Sequence, residues 1–268
     1  MIKGRKQSGL TLAEMTVVIA IAAVMVALTI PAANMLLNSF ESASGAKSMI
    51  SAALSSARAI AIKEQRYAGI RFQKRYDPND PVGASQYMIF IVYDYDRTTL
   101  ANGFRAVDGI QPIKLPDSIG VMDLMYNSGL GDGIADSDTE FTNSNIFRDT
   151  TTFSIIFSPS GKLVIHDVRV RNRDGMPIYY PSFADNSLDD VFNTQTRITD
   201  TVNPTGMFLQ DDYPTLGLTQ EQSRNGFIIY ETKRFKQAYN NGNAYSGYLN
   251  QLKPVFINPY TGTIVNEQ

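Results

Sequence analysis

The chain has 268 residues, of which 43% are hydrophobic and 19% are charged, and its formal net charge is −2. This length is enough for one sizeable globular domain and a further segment, because domains mostly contain about 100 to 200 residues. The small net charge excludes a general attraction to nucleic acid or anionic lipid, and the lack of cysteine excludes disulfide bonds, thiolate metal sites and cysteine nucleophiles.

The N-terminus is polar and basic, and a long apolar stretch follows it. Lys3, Arg5 and Lys6 are the only charged residues before Leu10, and residues 15–37 carry no formal charge. A helix over these uncharged residues would span about 34 Å, compared with about 30 Å for the hydrocarbon core of a bilayer. The sequence therefore predicts a membrane-spanning helix, with the basic end in the cytoplasm and the polar remainder outside.

Glu14 is the one acidic residue within the apolar stretch. A carboxylate inside a membrane helix costs roughly 2.5 to 3.5 kcal/mol and normally has a partner there, although a charge near the helix end can also lie among the lipid headgroups. The text GLTLAE, followed by MTVVIAIAAVMVALTIP, resembles the class III signal of type IV pilins and type II secretion pseudopilins.

The resemblance implies how the chain is processed and assembled. A prepilin peptidase would cleave between Gly9 and Leu10 and would methylate the new Leu10 amine. Glu14 would then be neutralised by the terminal amine of a neighbouring subunit, which makes it an assembly residue. Pro31 would bend the helix, although it can also mark the end of the membrane segment.

A second helical pattern follows over residues 39–66, and it is amphipathic. Apolar residues recur there at spacings of three and four, which is typical of one face of a helix. These residues are Ala46, Met49, Ile50, Ala53, Leu54, Ala57, Ile60 and Ala61. Together with the apolar stretch, they predict one helix from about Leu10 to Arg66, roughly 85 Å long.

From residue 67 to 268 the pattern changes to that of β-strands. The stretches YAGIRF, QYMIFIVYDYD, TTFSIIF, KLVIHDVRV and GFIIYE are rich in β-branched and aromatic residues and are bounded by turn residues. Polar stretches at 77–85, 126–150 and 172–225 predict long surface loops. The predicted fold class is α+β, a pilin-like lollipop with a long N-terminal helix packed on an antiparallel β-sheet head.

The chain thus divides into a cleaved leader at 1–9, a hydrophobic transmembrane or filament-core helix at 10–38, its amphipathic continuation at 39–66 and a β-rich head at 67–268. Two further stretches, SAALSSARAIAIKEQRYAGIRF and IIFSPSGKL, resemble the H-type minor pseudopilins, which include the FimT-like minor pilins. The head is longer than is usual in that group.

This resemblance implies a structural minor pseudopilin of a type II secretion system, and a minor pilin of a type IV pilus or DNA-uptake filament is the alternative. The implied partners are other pilin or pseudopilin subunits, a prepilin peptidase and the inner-membrane assembly platform. The implied location is a single pass of the inner membrane with a periplasmic head, and then the filament. The sequence contains no arrangement typical of a catalytic triad, a zinc site or a phosphate loop, so no enzyme is predicted.

Arg71, Lys74 and Arg75 form the first candidate ligand site. They alternate with aromatic residues, a combination that can bind phosphates and stack on bases, so this site is a candidate for DNA binding. A patch that faces solvent or a neighbouring subunit is the simpler interpretation.

An acidic loop is the second candidate site. Asp132, Asp136, Asp138 and Glu140 supply the oxygen ligands that calcium prefers, but the residue order of an EF-hand loop is absent. A solvated acidic loop is the simpler interpretation. Apart from this calcium candidate, no cofactor or metal is predicted.

Overall fold

The computed structural model describes residues 15–19, 21–22, 25, 43–127, 133–179 and 186–265. Residues 15–19, 21–22 and 25 are helical. The helices with defined bounds are α1 (Ala43–Glu64), α2 (Tyr95–Thr98), α3 (Asp138–Phe141), α4 (Ser144–Thr150), α5 (Gln195–Ile198) and α6 (Thr232–Asn240), and short 3-10 helices occur at Pro214–Leu216 and Leu249–Gln251.

Fourteen strands make up the β-structure of the described residues. In chain order they are β1 (Ala68–Lys74), β2 (Gln86–Tyr93), β3 (Gly103–Ala106), β4 (Ile113–Lys114), β5 (Ile119–Met122), β6 (Phe153–Phe157), β7 (Leu163–Val164), β8 (Asp167–Val170), β9 (Phe192–Asn193), β10 (Phe208–Leu209), β11 (Glu221–Gln222), β12 (Gly226–Glu231), β13 (Pro254–Ile257) and β14 (Ile264–Val265). They form three sheets of very different size.

The main sheet has eight strands in the order β11-β8-β3-β2-β1-β6-β7, with β4 also paired to β2. It is a mixed sheet, because β3 and β8 run parallel whereas β1 pairs antiparallel with both β2 and β6. A second sheet of four antiparallel strands has the order β14-β13-β12-β5, and β9 and β10 form a short parallel pair.

Strand β1 is central to the main sheet and is buried on both faces. Ala68, Ile70 and Phe72 are 0% exposed and pack in the same core as α1. Because successive side chains of a strand point to opposite faces, Arg71 and Gln73 lie on the face turned away from α1. Both are buried as well. A charged residue therefore lies in the interior of the molecule.

Helix α1 packs on the first face of the main sheet. Its buried side chains are Ala46, Ile50, Ala53, Leu54, Ala57 and Ala61, with Met49 and Ile60 partly buried, which confirms the apolar face predicted from the spacing. The same core contains residues of β1, β2 and β6 from the main sheet and of β12 and β13 from the second sheet. The helix therefore joins the two sheets.

Two further cores complete the fold. One lies between β12 and helices α3, α4 and α6, where the rings of Phe147 and Phe235 stack with their centres 5.4 Å apart. The other covers the second face of the main sheet with residues such as Ile91, Phe104 and Phe208. Strands β9 and β10 belong to this cover, so much of the polar stretch at 172–225 is part of the fold.

The predicted pilin-like lollipop is wrong. The described structure is a large curled mixed sheet with a second sheet and mostly short helices, and it lacks a long N-terminal helix packed on a small β-sheet head. The prediction failed because β8, β9, β10 and β11 come from distant parts of the chain. These strands enlarge the β-structure and include parallel pairs, and the local sequence pattern does not indicate which strands pair.

The predicted single-pass membrane location is not supported either. Within the residues that the structure describes, no helix combines the length and the apolar character needed to cross a membrane. Gly9, Leu10, Glu14 and Pro31 lie outside the described residues, as does most of the predicted helix at 10–38.

Candidate functional site

The structure does not bring the predicted basic residues together on a surface. The side chain of Arg71 lies on the face of the main sheet turned away from α1, and it is only 1% exposed. Lys74 is partly buried, and its ammonium donates hydrogen bonds to the carbonyl oxygens of Val82 and Ala84 at 2.9 and 2.7 Å. Among the predicted DNA-binding residues, Arg75 is exposed, whereas Arg71 and Lys74 are not. The predicted DNA-binding set is therefore not an exposed basic patch.

The surroundings of Lys74 lower the pKa of its ammonium group. Burial lowers the pKa of Lys74 to about 7, while the carboxylate of Asp80 opposes this shift and the ammonium of Lys236 adds to it. The Lys74 ammonium also lies 5.4 Å from the centre of the Phe147 ring. Near neutral pH this side chain is divided between its charged and neutral forms, which makes it a poor phosphate ligand.

Glu140, from the predicted calcium loop, caps a helix. One of its carboxylate oxygens accepts a 3.0 Å hydrogen bond from the backbone N–H of Ser137 and a 2.8 Å bond from the Ser137 hydroxyl. The backbone bond is one half of the capping box at the start of α3, and the other half joins the backbone N–H of Glu140 to the side chain of Ser137. Its other oxygen accepts a 2.8 Å bond from the hydroxyl of Tyr126. The side chain is thus occupied by local structure.

The other predicted calcium ligands do not join Glu140 in a cation site. The carboxylate of Asp138 accepts hydrogen bonds from the backbone of Tyr245 and Ser246, and Asp136 is exposed. Asp132 lies outside the described residues. Nowhere in the described part of the chain do three or more acidic or histidine side chains come close enough to hold a metal ion.

A group of buried charged residues surrounds Arg71, and sequence reasoning did not find it. We define the Arg71 cluster as Arg71, Asp123, Asp149, Asp211, Glu221 and Arg224. The Arg71 guanidinium lies 2.5 Å from a carboxylate oxygen of Asp211 and 3.1 Å from one of Glu221. Its Nε donates a 2.8 Å hydrogen bond to Gln73. Asp211 is 0% exposed and Glu221 is 5% exposed, so these ion pairs are shielded from water.

The acidic partners of Arg71 come from one segment that lies across the main sheet. We call residues 210–224 the cover segment. Asp211 accepts a 2.6 Å bond from the backbone of Val170 in β8, and Glu221 accepts a 2.9 Å bond from the hydroxyl of Ser154 in β6. Ser154 is the cross-strand neighbour of Arg71. The acids of the cover segment therefore attach it to strands β1, β6 and β8 of the main sheet.

Three more ion pairs extend this attachment. In the cover segment, Asp212 accepts bonds from Arg169 at 2.9 Å and from Arg171 at 3.1 Å. Arg224 pairs at 2.5 Å with Asp123, which follows strand β5 of the second sheet. The paired acids in the text FLQDDYPTLGL were the one signal in the sequence, because acids between apolar residues can indicate burial.

Burial raises the pKa values of the cluster's carboxyl groups. The pKa rises to about 8 for Asp149, to about 7 for Asp211 and Glu221, and to about 6 for Asp123. Arg71 opposes the shift for Asp211 and Glu221. For Asp149, the backbone N–H of Asn127 opposes the shift, and the nearby carboxyl groups of Glu221 and Asp123 add to it. Part of the cluster therefore keeps its protons at neutral pH.

The N-terminal helical residues present a different kind of surface. Their exposed apolar side chains are Met15, Val17, Val18, Ile19, Ile21 and Met25, each between 55% and 65% exposed. Folded proteins rarely leave a run of large apolar side chains in water, and such a run usually marks an interaction surface. We therefore regard these residues as a candidate contact surface.

Comparisons with known proteins add no relative. No family model, no curated protein and no solved structure matches the chain.

Proposed function

We propose that this chain is a non-enzymatic filament subunit, a minor pseudopilin of a type II secretion system, that assembles with other pilin-like subunits through its N-terminal segment. The observation that carries the proposal is the exposed apolar side chains of the helical residues 15–19, 21–22 and 25, which follow Glu14 in the sequence. Burying apolar surface contributes about 25 cal/mol per Å². Contact with neighbouring subunits would remove this surface from water.

The contrast with α1 supports this assignment. Leu54 is 0% exposed in α1, whereas Val17 is 57% exposed although both residues are helical and apolar. The apolar face of α1 is used within the chain, since it packs on the two sheets. The six exposed apolar side chains near the N-terminus pack in none of the cores formed by the described residues, so contacts between subunits could cover them.

The sequence around Glu14 supplies the second support. The text GLTLAE resembles the processing signal of prepilins, and it directly precedes the exposed helical residues. Cleavage after Gly9 would create an amine at Leu10, four residues before the Glu14 carboxylate. An amine of one subunit and a carboxylate of the next could then pair, which would fix the spacing between subunits.

Cleavage by a prepilin peptidase is the first test. When the chain is co-expressed with such an enzyme, we expect intact mass spectrometry to show loss of residues 1–9 and one added methyl group on Leu10. Replacing Gly9 with valine should leave the chain uncut, because the peptidase of this family cuts after glycine. Ser8→Ala is the matched control and should be processed normally. A native chain that keeps residues 1–9 would overturn the proposal.

Assembly is the second test. We expect Glu14→Ala to be processed normally but to enter sheared filaments at least about tenfold less than the native chain, because an interfacial charge pair contributes about 1.5 kcal/mol or more and each 1.4 kcal/mol is tenfold. Thr11→Ala, three residues before Glu14 in the sequence and uncharged, is the control and should assemble normally. Quantitative immunoblots of the filament fraction measure both. Full incorporation of Glu14→Ala would remove the role of this residue.

A further inference from the structure

We propose that the Arg71 cluster is a pH-sensitive clasp, which holds the cover segment on the main sheet and loosens as the buried carboxyl groups of the cluster lose their protons. This device is independent of filament assembly, because none of its residues belongs to the N-terminal segment that carries that proposal.

The first support is the position of the cluster between separate elements. Arg71 comes from β1, Asp149 from α4, and Asp211 and Glu221 from the cover segment. Asp149 is 6% exposed, and one of its carboxylate oxygens accepts a hydrogen bond from the backbone of Asn127. The cover segment therefore meets a rigid strand and a helix at one buried point.

The second support is the balance of charges. Four carboxyl groups of the cluster face the two guanidinium groups of Arg71 and Arg224, which gives a net charge of −2 when all of them ionise. The adjoining Asp212 pairs with Arg169 and Arg171, which together add one positive charge. An excess negative charge remains, and a buried net charge is strongly unfavourable. When some of the carboxyl groups keep their protons, this excess negative charge is smaller.

The third support is that the cover segment has fewer backbone pairings with the main sheet than β1 has. Its strand β11 has only two residues and lies at the edge of the main sheet. Outside that strand, its backbone bonds to the sheet include Asp211 to Val170 at 2.9 Å and Ser223 to His166 at 2.9 Å. Strand β1, in contrast, is paired on both sides. Repulsion within the cluster would therefore displace the cover segment before it displaces β1.

The direction of the pH effect follows from proton linkage. The carboxyl groups have higher pKa values in the folded chain than in the unfolded chain, so the folded chain binds more protons between about pH 4 and pH 8. The attachment is strongest below that window and weakens as pH rises through it. Lys74 has the opposite effect between about pH 7 and its ordinary pKa of 10.5, but it lies outside the cluster.

Hydrogen exchange of the full chain, followed by mass spectrometry, tests the clasp. After correction for the chemical exchange rate, we expect the protection of residues 210–224 to fall about tenfold or more between about pH 6 and pH 9, which is the effect of one unit of pKa shift. Asp149→Asn keeps the side-chain size and removes the ionisable group. Its protection should fall by a clearly smaller factor over the same range, because Asp211 and Glu221 still ionise there.

Two controls make the result decisive. Asp136→Asn removes an exposed carboxylate and should behave like the native chain. Protection of β1 and β2 should stay constant in every variant. If Asp149→Asn does not fold, Glu221→Gln gives the same comparison. Equal pH dependence in the native chain and the variant, a flat native profile, or an equal loss of protection in β1 would each overturn the clasp.

Discussion

Replacing Arg71 with methionine is expected to lower the free energy of unfolding by about 3 to 5 kcal/mol. Methionine fills a similar volume but removes the charge that Asp211 and Glu221 face in the interior. Breaking a buried ion pair from one side is costly, because the carboxyl groups left behind either stay charged without a partner or water, or take up protons and lose their charged hydrogen bonds. Denaturant unfolding followed by circular dichroism at neutral pH measures the change.

Arg75→Met is the matched control for this prediction. Arg75 lies just past the end of β1, is exposed, and has no carboxylate within salt-bridge distance in the described part of the chain. Its replacement should change the free energy of unfolding by no more than about 0.5 kcal/mol, as is usual for surface sites. Equal losses in the free energy of unfolding for the two variants would show that the buried ion pairs of Arg71 do not stabilise the fold.

The different positions of these two arginines show what local patterns can and cannot predict. The text YAGIRF predicts a strand, and β1 (Ala68–Lys74) confirms it. Nothing local shows that both faces of this strand are covered, because Asp211 and Glu221 are 140 and 150 residues away from Arg71. A strand with a central arginine is therefore easily interpreted as half exposed, which places the arginine on the surface.

The same limit explains which parts of the fold were predicted. Strands β1, β2, β6 and β12 match predicted stretches, since each has a strong local pattern of β-branched and aromatic residues. The stretch KLVIHDVRV instead divides into β7 and β8, which pair with different strands. The parallel pairing of β8 with β3 brings distant residues together, and the sequence of one strand does not predict which distant strand it pairs with.

The acidic loop contains a local sequence pattern that predicts its structure correctly, although the acids were interpreted as candidate calcium ligands. Residues 137–140 read SDTE, which fits the pattern of a capping box, Ser or Thr followed three residues later by Glu. Glu140 forms that capping box. The spacing of the acids suggested a cation site, but the nearer backbone N–H groups compete for the same oxygens.

Truncation of Leu54 to alanine is the second change with a large expected effect. We expect a loss of about 2 to 5 kcal/mol in the free energy of unfolding, the usual range for a buried leucine. Leu54 is 0% exposed and packs in the core where α1 meets both sheets. Paired strands line this core on two sides, so the cavity left by the missing atoms would collapse only in part. Denaturant unfolding again gives the measurement.

Ser55→Ala is the control, since this residue follows Leu54 on the exposed side of α1 and its hydroxyl bonds only to the carbonyl oxygen of Ser51 one turn back. Alanine favours helix more than serine does, so this variant should be unchanged or slightly more stable, by no more than about 0.5 kcal/mol. A loss below about 1 kcal/mol for Leu54→Ala would mean that α1 is not an integral part of the core. A large loss for Leu54 alone would instead show that α1 joins the sheets, and that contacts between subunits must use residues outside this face.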